Sequence, residues 1–340
     1  MQDEFYIKRC IELAKKALGK TYPNPLVGSV IVYNDKIIGE GYHHKAGENH
    51  AEINAINSVK DKSLIPKSTI YVSLEPCAHY GKTPPCALKI KELGFKKVVI
   101  GAMDSHDKVN GKGKKIIQDV GIEVVSGVLE SECIDLNKRF FTYHEKKRPF
   151  IILKWAQSVD GFIDKDFKPI AISNSLVNQF VHQLRADEHA ILVGTQTVLN
   201  DNPSLTVRNI EGENPVRILI DFDLKVLQDF KIYNLEAKTL VFNLKKEKKE
   251  NNIYFIKIEK ENFLSDLMNA LYKNQIQSVI IEGGSFTLQK FIEANLWDEA
   301  IIIKNEYLSL KNGTKAPDFQ NEPFETKKFR DNMIEFHKNS

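Results

Sequence analysis

The run Glu75-Pro76-Cys77-Ala78-His79-Tyr80-Gly81-Lys82-Thr83-Pro84-Pro85-Cys86, preceded by His50-Ala51-Glu52, sets a His-x-Glu pair and two Pro-Cys steps in a fixed order. Zinc takes imidazole nitrogen and thiolate sulfur, and a catalytic zinc uses three protein ligands while a fourth position stays open to water. His50, Cys77 and Cys86 supply a metal-ligand set of that kind. Zinc lowers the pKa of a bound water from about 16 towards 7, and a nearby carboxylate can shuttle the proton. Glu52 is the catalytic candidate for that shuttle. Positions i and i+2 do not share a helix face, so His50 is expected at a helix entry and Glu52 in the first turn. A closed structural zinc, or cysteines belonging to a core, would need only part of this pattern.

Working outward, the whole chain has 340 residues, room for two domains at roughly 100–200 residues each. Hydrophobic residues make up 42% and charged residues 27%, an ordinary globular composition and not that of a disordered chain. Lys and Arg total 48 against 45 Asp and Glu, a net +3, which argues against a general binder of nucleic acid or another polyanion. The opening MQDEFYIKRC lacks the basic start and apolar core of a secretory signal, and no apolar run reaches the roughly 18 residues of a membrane span. The expectation is a soluble cytoplasmic protein with no membrane partner. Four cysteines are too few for a disulfide scaffold. Cys77 and Cys86 are neighbours, whereas Cys10 and Cys133 fall on apolar helix faces.

Around the opening motif the periodicities alternate. Asp3 to Leu18 reads as a helix stopped by Gly19, and Val27 to Tyr33 and Lys36 to Tyr42 read as strands joined at Asn34-Asp35. A helix from about His50 to Val59, a strand from Ser68 to Leu74, a helix from Cys86 to Leu93, a strand from Lys97 to Ala102, a helix from Lys114 to Asp119 and a strand from Ile122 to Val125 follow. One continuous helix is expected from Glu130 to His144, with the domain boundary near Lys146. Beyond it, Phe150 to Ala156, Ala190 to Gly194, Val216 to Asp221, Thr239 to Asn243 and Ser278 to Ile281 read as buried strands. Helices Leu176 to Ala186, Phe263 to Lys273 and Thr287 to Asn295 separate several of them. Lys245 to Asn252 reads as a solvated loop. The chain is thus α/β throughout, with domains at 1–146 and 147–340.

The His-x-Glu and Pro-Cys signature describes zinc deaminases of nucleobases, with Glu as acid/base rather than ligand. More specifically, Thr21-Tyr22-Pro23-Asn24-Pro25-Leu26-Val27-Gly28, His50-Ala51-Glu52 and Glu75 through Cys86 closely resemble the deaminase half of the bifunctional riboflavin-biosynthesis enzymes. These join diaminohydroxyphosphoribosylaminopyrimidine deaminase to 5-amino-6-(5-phosphoribosylamino)uracil reductase. The eight residues between the cysteines discriminate, because deaminases of cytidine or of tRNA adenine usually carry Pro-Cys-x-x-Cys. The resemblance implies a cytidine-deaminase-like α/β/α sandwich in which Asn24, His43 and Lys82 bind substrate. Asp104-Ser105-His106-Asp107-Lys108-Val109-Asn110-Gly111-Lys112-Gly113 departs from the family's usual Asp-Pro-Asn-Pro run.

No Gly-x-Gly-x-x-Gly is present, which removes the standard argument for a nicotinamide dinucleotide. Ser278-Val279-Ile280-Ile281-Glu282-Gly283-Gly284-Ser285 does run a buried strand into glycines and then a helix, an entry whose backbone amides attract phosphate. Lys154-Trp155-Ala156-Gln157-Ser158-Val159-Asp160-Gly161, Leu184 to Asp187 and Gly194 to Arg208 resemble the reductase half of the same family, implying a dihydrofolate-reductase-like α/β domain. Carried over, the resemblance implies that Ala156, Thr197, Asp201, Gly284, Ser285, Phe286, Thr287, Leu288, Gln289 and Lys290 border NADPH. Arg185, Leu205, Arg208 and Glu282 would contact substrate. Two guanidiniums suit a phosphate, with ion pairing of Arg185 to Asp187 or another neighbour as the alternative. Asp201 is the candidate to position or protonate at the reacting ribose carbon, with a turn role in Asn200-Asp201-Asn202-Pro203 as its alternative. The family's Trp-Ile-Ser/Thr segment is Ala171-Ile172-Ser173 here.

The expected function is therefore zinc-dependent deamination of a phosphorylated pyrimidine followed by NADPH reduction of its ribosyl group, in a homo-oligomer, dimer or tetramer. The alternatives are a deaminase whose reductase half has weakened and a nucleoside or nucleic-acid deaminase. The last would call for a basic, aromatic-bearing face and the short cysteine gap.

Overall fold

Successive residues of the first strand point to opposite faces of a sheet that helices cover on both sides. The structure, a computed structural model, describes residues 2–80, 84–105 and 109–339. It divides into two units, Met1–Lys147 and Arg148–Ser340. In the first, α1 (Gln2–Lys15) precedes β1 (Gly28–Tyr33), β2 (Lys36–Tyr42), α2 (Ala51–Ser58), β3 (Thr69–Leu74), α3 (Cys86–Leu93) and β4 (Lys97–Ala102). Then come α4 (Lys112–Gln118), β5 (Glu123–Ser126), α5 (Glu130–Leu136) and α6 (Lys138–Lys146). Sheet order is β2-β1-β3-β4-β5, with β1 antiparallel to both neighbours and β3, β4 and β5 parallel. Asn34 and Asp35 both take left-handed φ (48° and 59°), the two-residue turn their chemistry favours.

Val30 and Val32 pack with Tyr6, Ile7 and Cys10 of α1, while Ile31 between them packs with Ala55 and Ile56 of α2 and Ile90 of α3. This is the α/β/α sandwich. A Cβ on Gly41 would lie 2.3 Å from the Ala55 nitrogen, so only glycine lets α2 sit this close to β2. That depth sets the position of His50 and Glu52.

The helix expected over 130–144 is broken. Asn137, at φ −108° and ψ 22°, closes α5 and opens α6, and its side chain ties this step to Leu26: Oδ1 accepts the Leu26 N–H (2.8 Å) and Nδ2 donates to the Leu26 carbonyl (2.9 Å).

The second unit comprises β6 (Phe150–Gln157), α7 (Ser175–Asp187), β7 (Ala190–Gly194), α8 (Thr195–Asp201), β8 (Val216–Ile220), β9 (Thr239–Asn243), β10 (Lys248–Glu250) and β11 (Ile253–Lys257). It continues through α9 (Phe263–Lys273), β12 (Ser278–Ile281), α10 (Ser285–Glu293), β13 (Glu299–Asn305), β14 (Glu325–Phe329) and β15 (Asn332–Lys338). The sheet runs β10-β11-β9-β8-β7-β12-β6-β13-β15-β14, parallel from β11 to β13 with antiparallel strands at both edges. Its central strands are mostly apolar because helices cover both faces, with Lys154 in β6 and Arg217 in β8 as the charged exceptions. Leu153, Leu192 and Ile281 meet Leu267 of α9 and Phe291 of α10, whereas Ile152 meets Val177 and Val181 of α7.

The stretch 245–252, expected as a loop, contains β10, which pairs antiparallel with β11. Its reversal is provided by Asn251, left-handed at φ 52°, and its lysines serve as the charged guard of a sheet edge. Among the described residues no helix is long and apolar enough to cross a membrane.

Candidate functional site

In the first unit, His50 caps α2 in extended conformation with no side-chain bond to that helix, which leaves its ring to face the cysteines. Cys86 is the first residue of α3, behind Pro85, and its N–H points at the Cys77 Sγ (3.3 Å). His50 Nδ1 lies 3.4 Å from each sulfur. Bonds of roughly 2.1 Å to nitrogen and 2.3 Å to sulfur at tetrahedral angles demand a separation of about 3.5 Å. The donor set therefore fits zinc in kind and in spacing, and all three donor atoms fall within 4.8 Å of one another. The hydrogen bond from Cys86, reinforced by His50, holds the Cys77 thiol well below the ordinary thiol value, so a thiolate ligand is at hand.

Glu52 is 3% exposed, and burial, then the charge of Cys77, pushes its carboxyl up to about 7, the value suited to passing a proton in either direction at neutral pH. His43 Nδ1 donates to the Asn49 carbonyl (3.0 Å), which leaves Nε2 to accept from Asn24 Nδ2 (3.0 Å). Burial lowers its pKa, in keeping with this neutral tautomer, and its ring stands 5.4 Å from that of His50. Asn24 and His43 are thus brought to the metal-ligand cluster. Lys82 lies outside the described residues, as do His106, Asp107 and Lys108 of the departing run.

The sequence reading missed Glu75. Its carboxylate accepts the backbone N–H groups of Gly111 (2.9 Å), Lys114 (3.0 Å) and Asp104 (3.4 Å), and so ties the segment beyond β4 to the Pro76-Cys77 step. An acidic residue directly before Pro-Cys was the only available signal.

In the second unit, a cavity of about 490 Å³ opens at the carboxyl ends of β6, β7 and β12, where parallel sheets bind ligands. Of the expected residues, Ala156, Arg185, Thr197, Asp201, Leu205, Glu282, Gly284, Ser285 and Phe286 line it. Thr287 and Lys290 line a second cavity of about 480 Å³ that shares Gln196, Thr197, Gly284 and Phe286 with the first. Arg208 and Gln289 line neither: Gln289 Oε1 accepts the Asp318 N–H, and the backbone N–H of Arg208 donates to His182 Nδ1. Leu288 is buried in the core. Ala171 lines the first cavity, so at the family's Trp position its wall is a methyl group.

Thr197 Oγ1 accepts the Gly284 N–H (2.9 Å), which joins α8 to the start of α10. A Cβ on Gly283 would lie 2.9 Å from Thr287 Cβ, which is the close packing that selects glycine there. Glu282 Oε2 meets Arg185 Nη2 at 2.7 Å and Oε1 meets Lys154 Nζ at 3.4 Å. Burial opposes ionisation of Glu282, yet Arg185 and then Lys154 hold its pKa at about 2. Arg185 therefore pairs with Glu282, not with Asp187, which accepts from Gln183. Its Nε is buried without a hydrogen-bond partner. Lys154 was not among the expected site residues, although a lysine inside the apolar run of β6 is itself a signal. Burial raises the Asp201 carboxyl, followed by the charge of Asp164. Leu205, 3% exposed, has φ 55°, a strained state concentrated at functional sites.

Fold and site together define a deaminase with a zinc-type donor set joined to a reductase. Residues 1–102 match the cytidine and deoxycytidylate deaminase zinc-binding region, and residues 149–330 match the RibD C-terminal domain. The riboflavin biosynthesis protein RibD of Aquifex aeolicus is 40% identical over 310 residues, covering 88% of this chain and 86% of its own. That of Escherichia coli K12 is 35% identical over 321 residues, covering 89% and 87%. The crystal structure of a diaminohydroxyphosphoribosylaminopyrimidine deaminase/5-amino-6-(5-phosphoribosylamino)uracil reductase from Thermotoga maritima superposes with TM-score 0.90 at 35% identity, covering 100% of this chain and 99% of that one. The chain belongs to the RibD family of bifunctional riboflavin-biosynthesis enzymes, and it is both a deaminase and a reductase.

Proposed function

We propose that residues 1–146 hydrolytically deaminate 2,5-diamino-6-(5-phosphoribosylamino)pyrimidin-4(3H)-one, and that residues 147–340 then reduce the ribosyl group of 5-amino-6-(5-phosphoribosylamino)uracil to ribityl with NADPH. The observation that carries the first step is the His50–Cys77–Cys86 cluster beside a buried Glu52. Zinc, held by these three side chains, supplies the Lewis acidity that makes water a nucleophile at neutral pH. Glu52 takes the proton of the attacking water and returns it to the departing amino group, which leaves as ammonia. Asn24 and the neutral His43 hold the pyrimidine, and Lys82 holds its phosphate.

For the second step, NADPH held along the two cavities would supply the hydride for C1 of the ribosyl group. The two cavities share Thr197 and Gly284 at the N-terminus of α10, which favours negative charge, and these residues would hold the pyrophosphate of a dinucleotide. Lys225, Lys260 and Lys290 around the second cavity favour a further phosphate, hence NADPH over NADH. Arg185, whose Nε is unpaired, and Arg208 receive the substrate phosphate, and Leu205 and Glu282 border the sugar. Asp201, its carboxyl raised, positions or protonates the opening ribose.

One coupled assay tests both halves: ammonia release from the pathway pyrimidine, then NADPH loss on the product. Ammonia without NADPH oxidation would sink the second half, and ammonia from cytidine instead would sink the substrate assignment. Glu52→Gln is expected to retain zinc and lose deamination by about 10²-fold or more. A cytoplasmic location and a homo-oligomer, dimer or tetramer, belong to the same proposal; four free cysteines suit a reducing compartment. Fractionation and light scattering check them.

A further inference from the structure

A two-residue hairpin tip stands at the reductase cavity. Lys165 N–H donates to the Lys168 carbonyl (3.1 Å) and Lys168 N–H to the Lys165 carbonyl (2.9 Å). Between them Asp166 and Phe167 take left-handed φ of 52° and 61°. This geometry selects Asn, Asp or Gly at both central positions. Asp166 suits it, and its Oδ1 accepts from Asn312 Nδ2 at 2.8 Å. Phe167 does not: a bulky side chain in the left-handed region is an outlier. Its ring is also 65% exposed, so the fold gains little from burying it.

The tip is held in place. Asp164 Oδ1 accepts both the Phe167 N–H (3.1 Å) and the Thr314 N–H (2.9 Å), which clamps 164–168 onto 312–314. A Cβ on Gly313 would lie 2.2 Å from the Asp164 carbonyl oxygen, so the two segments touch backbone to backbone. Phe167 lines the first cavity together with Asp164, Ala171, Thr197, Asp201 and Gly284. An aromatic ring kept at the mouth of a ligand cavity against both backbone preference and solvent is offset by a ligand that covers it.

We infer that Phe167 is a cofactor-binding residue whose ring packs against the nicotinamide ring of the dinucleotide. The inference rests on the reductase reading above. The choice of nicotinamide over pyrimidine follows from the neighbours: Asp164, which anchors the Phe167 amide, acts on Asp201, and Asp201 sits with Thr197 and Gly284 on the wall assigned to the cofactor. Arg185 and Glu282, assigned to the substrate side, form with Lys154 their own paired cluster. Stacking against a flat ring contributes most when the ring carries positive charge, as oxidised nicotinamide does.

The test uses the full-length enzyme and its Phe167→Ala and Phe167→Tyr variants. Calorimetric Kd values for NADPH and NADP+ are measured alongside reductase KM values for NADPH and for the deaminated pyrimidine. Phe167→Ala is expected to raise Kd and KM for the dinucleotide by up to about tenfold. Phe167→Tyr is expected to restore them, while the pyrimidine KM stays within about twofold. A dinucleotide Kd unchanged in Phe167→Ala overturns the inference, as does an effect confined to the pyrimidine KM. If the unmutated enzyme neither binds nor oxidises NADPH, the reductase reading itself falls and this inference falls with it.

Discussion

Arg217 is fully buried, and among the described residues no carboxylate bonds its guanidinium. It donates instead to Thr239 Oγ1 (3.0 Å), Asn234 Oδ1 (2.7 Å) and the carbonyls of Lys231 (3.2 Å) and Ala237 (2.7 Å). Burial pulls its pKa down to about 10, with Glu236 opposing. One cation thus gathers the carbonyls of the 231–237 loop, with the Asn234 N–H as a second donor to that of Lys231 and Asn252 Nδ2 to that of Ala237. Arg217→Met is expected to cost about 3–5 kcal/mol, because it removes several hydrogen bonds of one buried cation at once. Arg217→Lys should recover little, since an ammonium has three donors and no fork. Urea unfolding of the full chain measures both; equal stability in Arg217→Lys would show that charge alone suffices. The sequence could not disclose this role. Val216 to Asp221 reads as a buried strand, but nothing within it says what would satisfy a buried Arg217, and only the return of a distant loop supplies the acceptors. The zinc-type cluster was legible for the opposite reason: metal chemistry restricts residue type so severely that His50, Cys77 and Cys86 announce themselves without a structure.

Elements were legible where period and punctuation agreed. The Asn34-Asp35 hairpin turn marked β1 and β2, and Gly94, left-handed at φ 63°, ended α3 where expected. The 130–144 segment shows the limit. Its apolar face, with Cys133, Leu136, Phe140 and Phe141, was readable, but the break at Asn137 depends on Leu26, 111 residues away in sequence. β14 escaped because its exposed Glu-Thr-Lys-Lys-Phe carries no apolar period, as befits a sheet edge. Asn137→Ala removes two buried bonds and leaves both Leu26 backbone groups unpaired, so a loss of about 2–4 kcal/mol is expected. Hydrogen exchange at the Leu26 amide should accelerate with it. Unchanged protection there would mean that the α5–α6 break is held by packing and not by this amide.

For the molecule as a whole, a net charge of +3 said nothing of where cations gather, yet the second cavity alone carries Lys225, Lys260 and Lys290. Titration is equally local, and it separates the two units. His189 precedes β7, its Nδ1 accepting the Gln277 N–H (3.2 Å) just before β12 and its own N–H donating to Ser278 Oγ (3.0 Å). Burial, then Lys238, pushes its pKa from 6.5 down to about 4. Above pH 6.5 neither the folded nor the unfolded chain protonates this ring. Below it the unfolded chain binds a proton first, so stability falls as pH drops from about 6.5 towards 4 and the loss is complete below that. Glu282, held at about 2, acts in a lower window, between its ordinary value near 4.5 and 2, where the paired carboxylate is finally neutralised. Thermal melts between pH 7 and 4 should therefore show the transition of the Arg148–Ser340 unit moving down. His189→Asn keeps an acceptor for Gln277 and removes the titration, so its transition should move less across the same range. A His189→Asn melt as steep in pH as that of the unmutated chain would assign the acid sensitivity to another group.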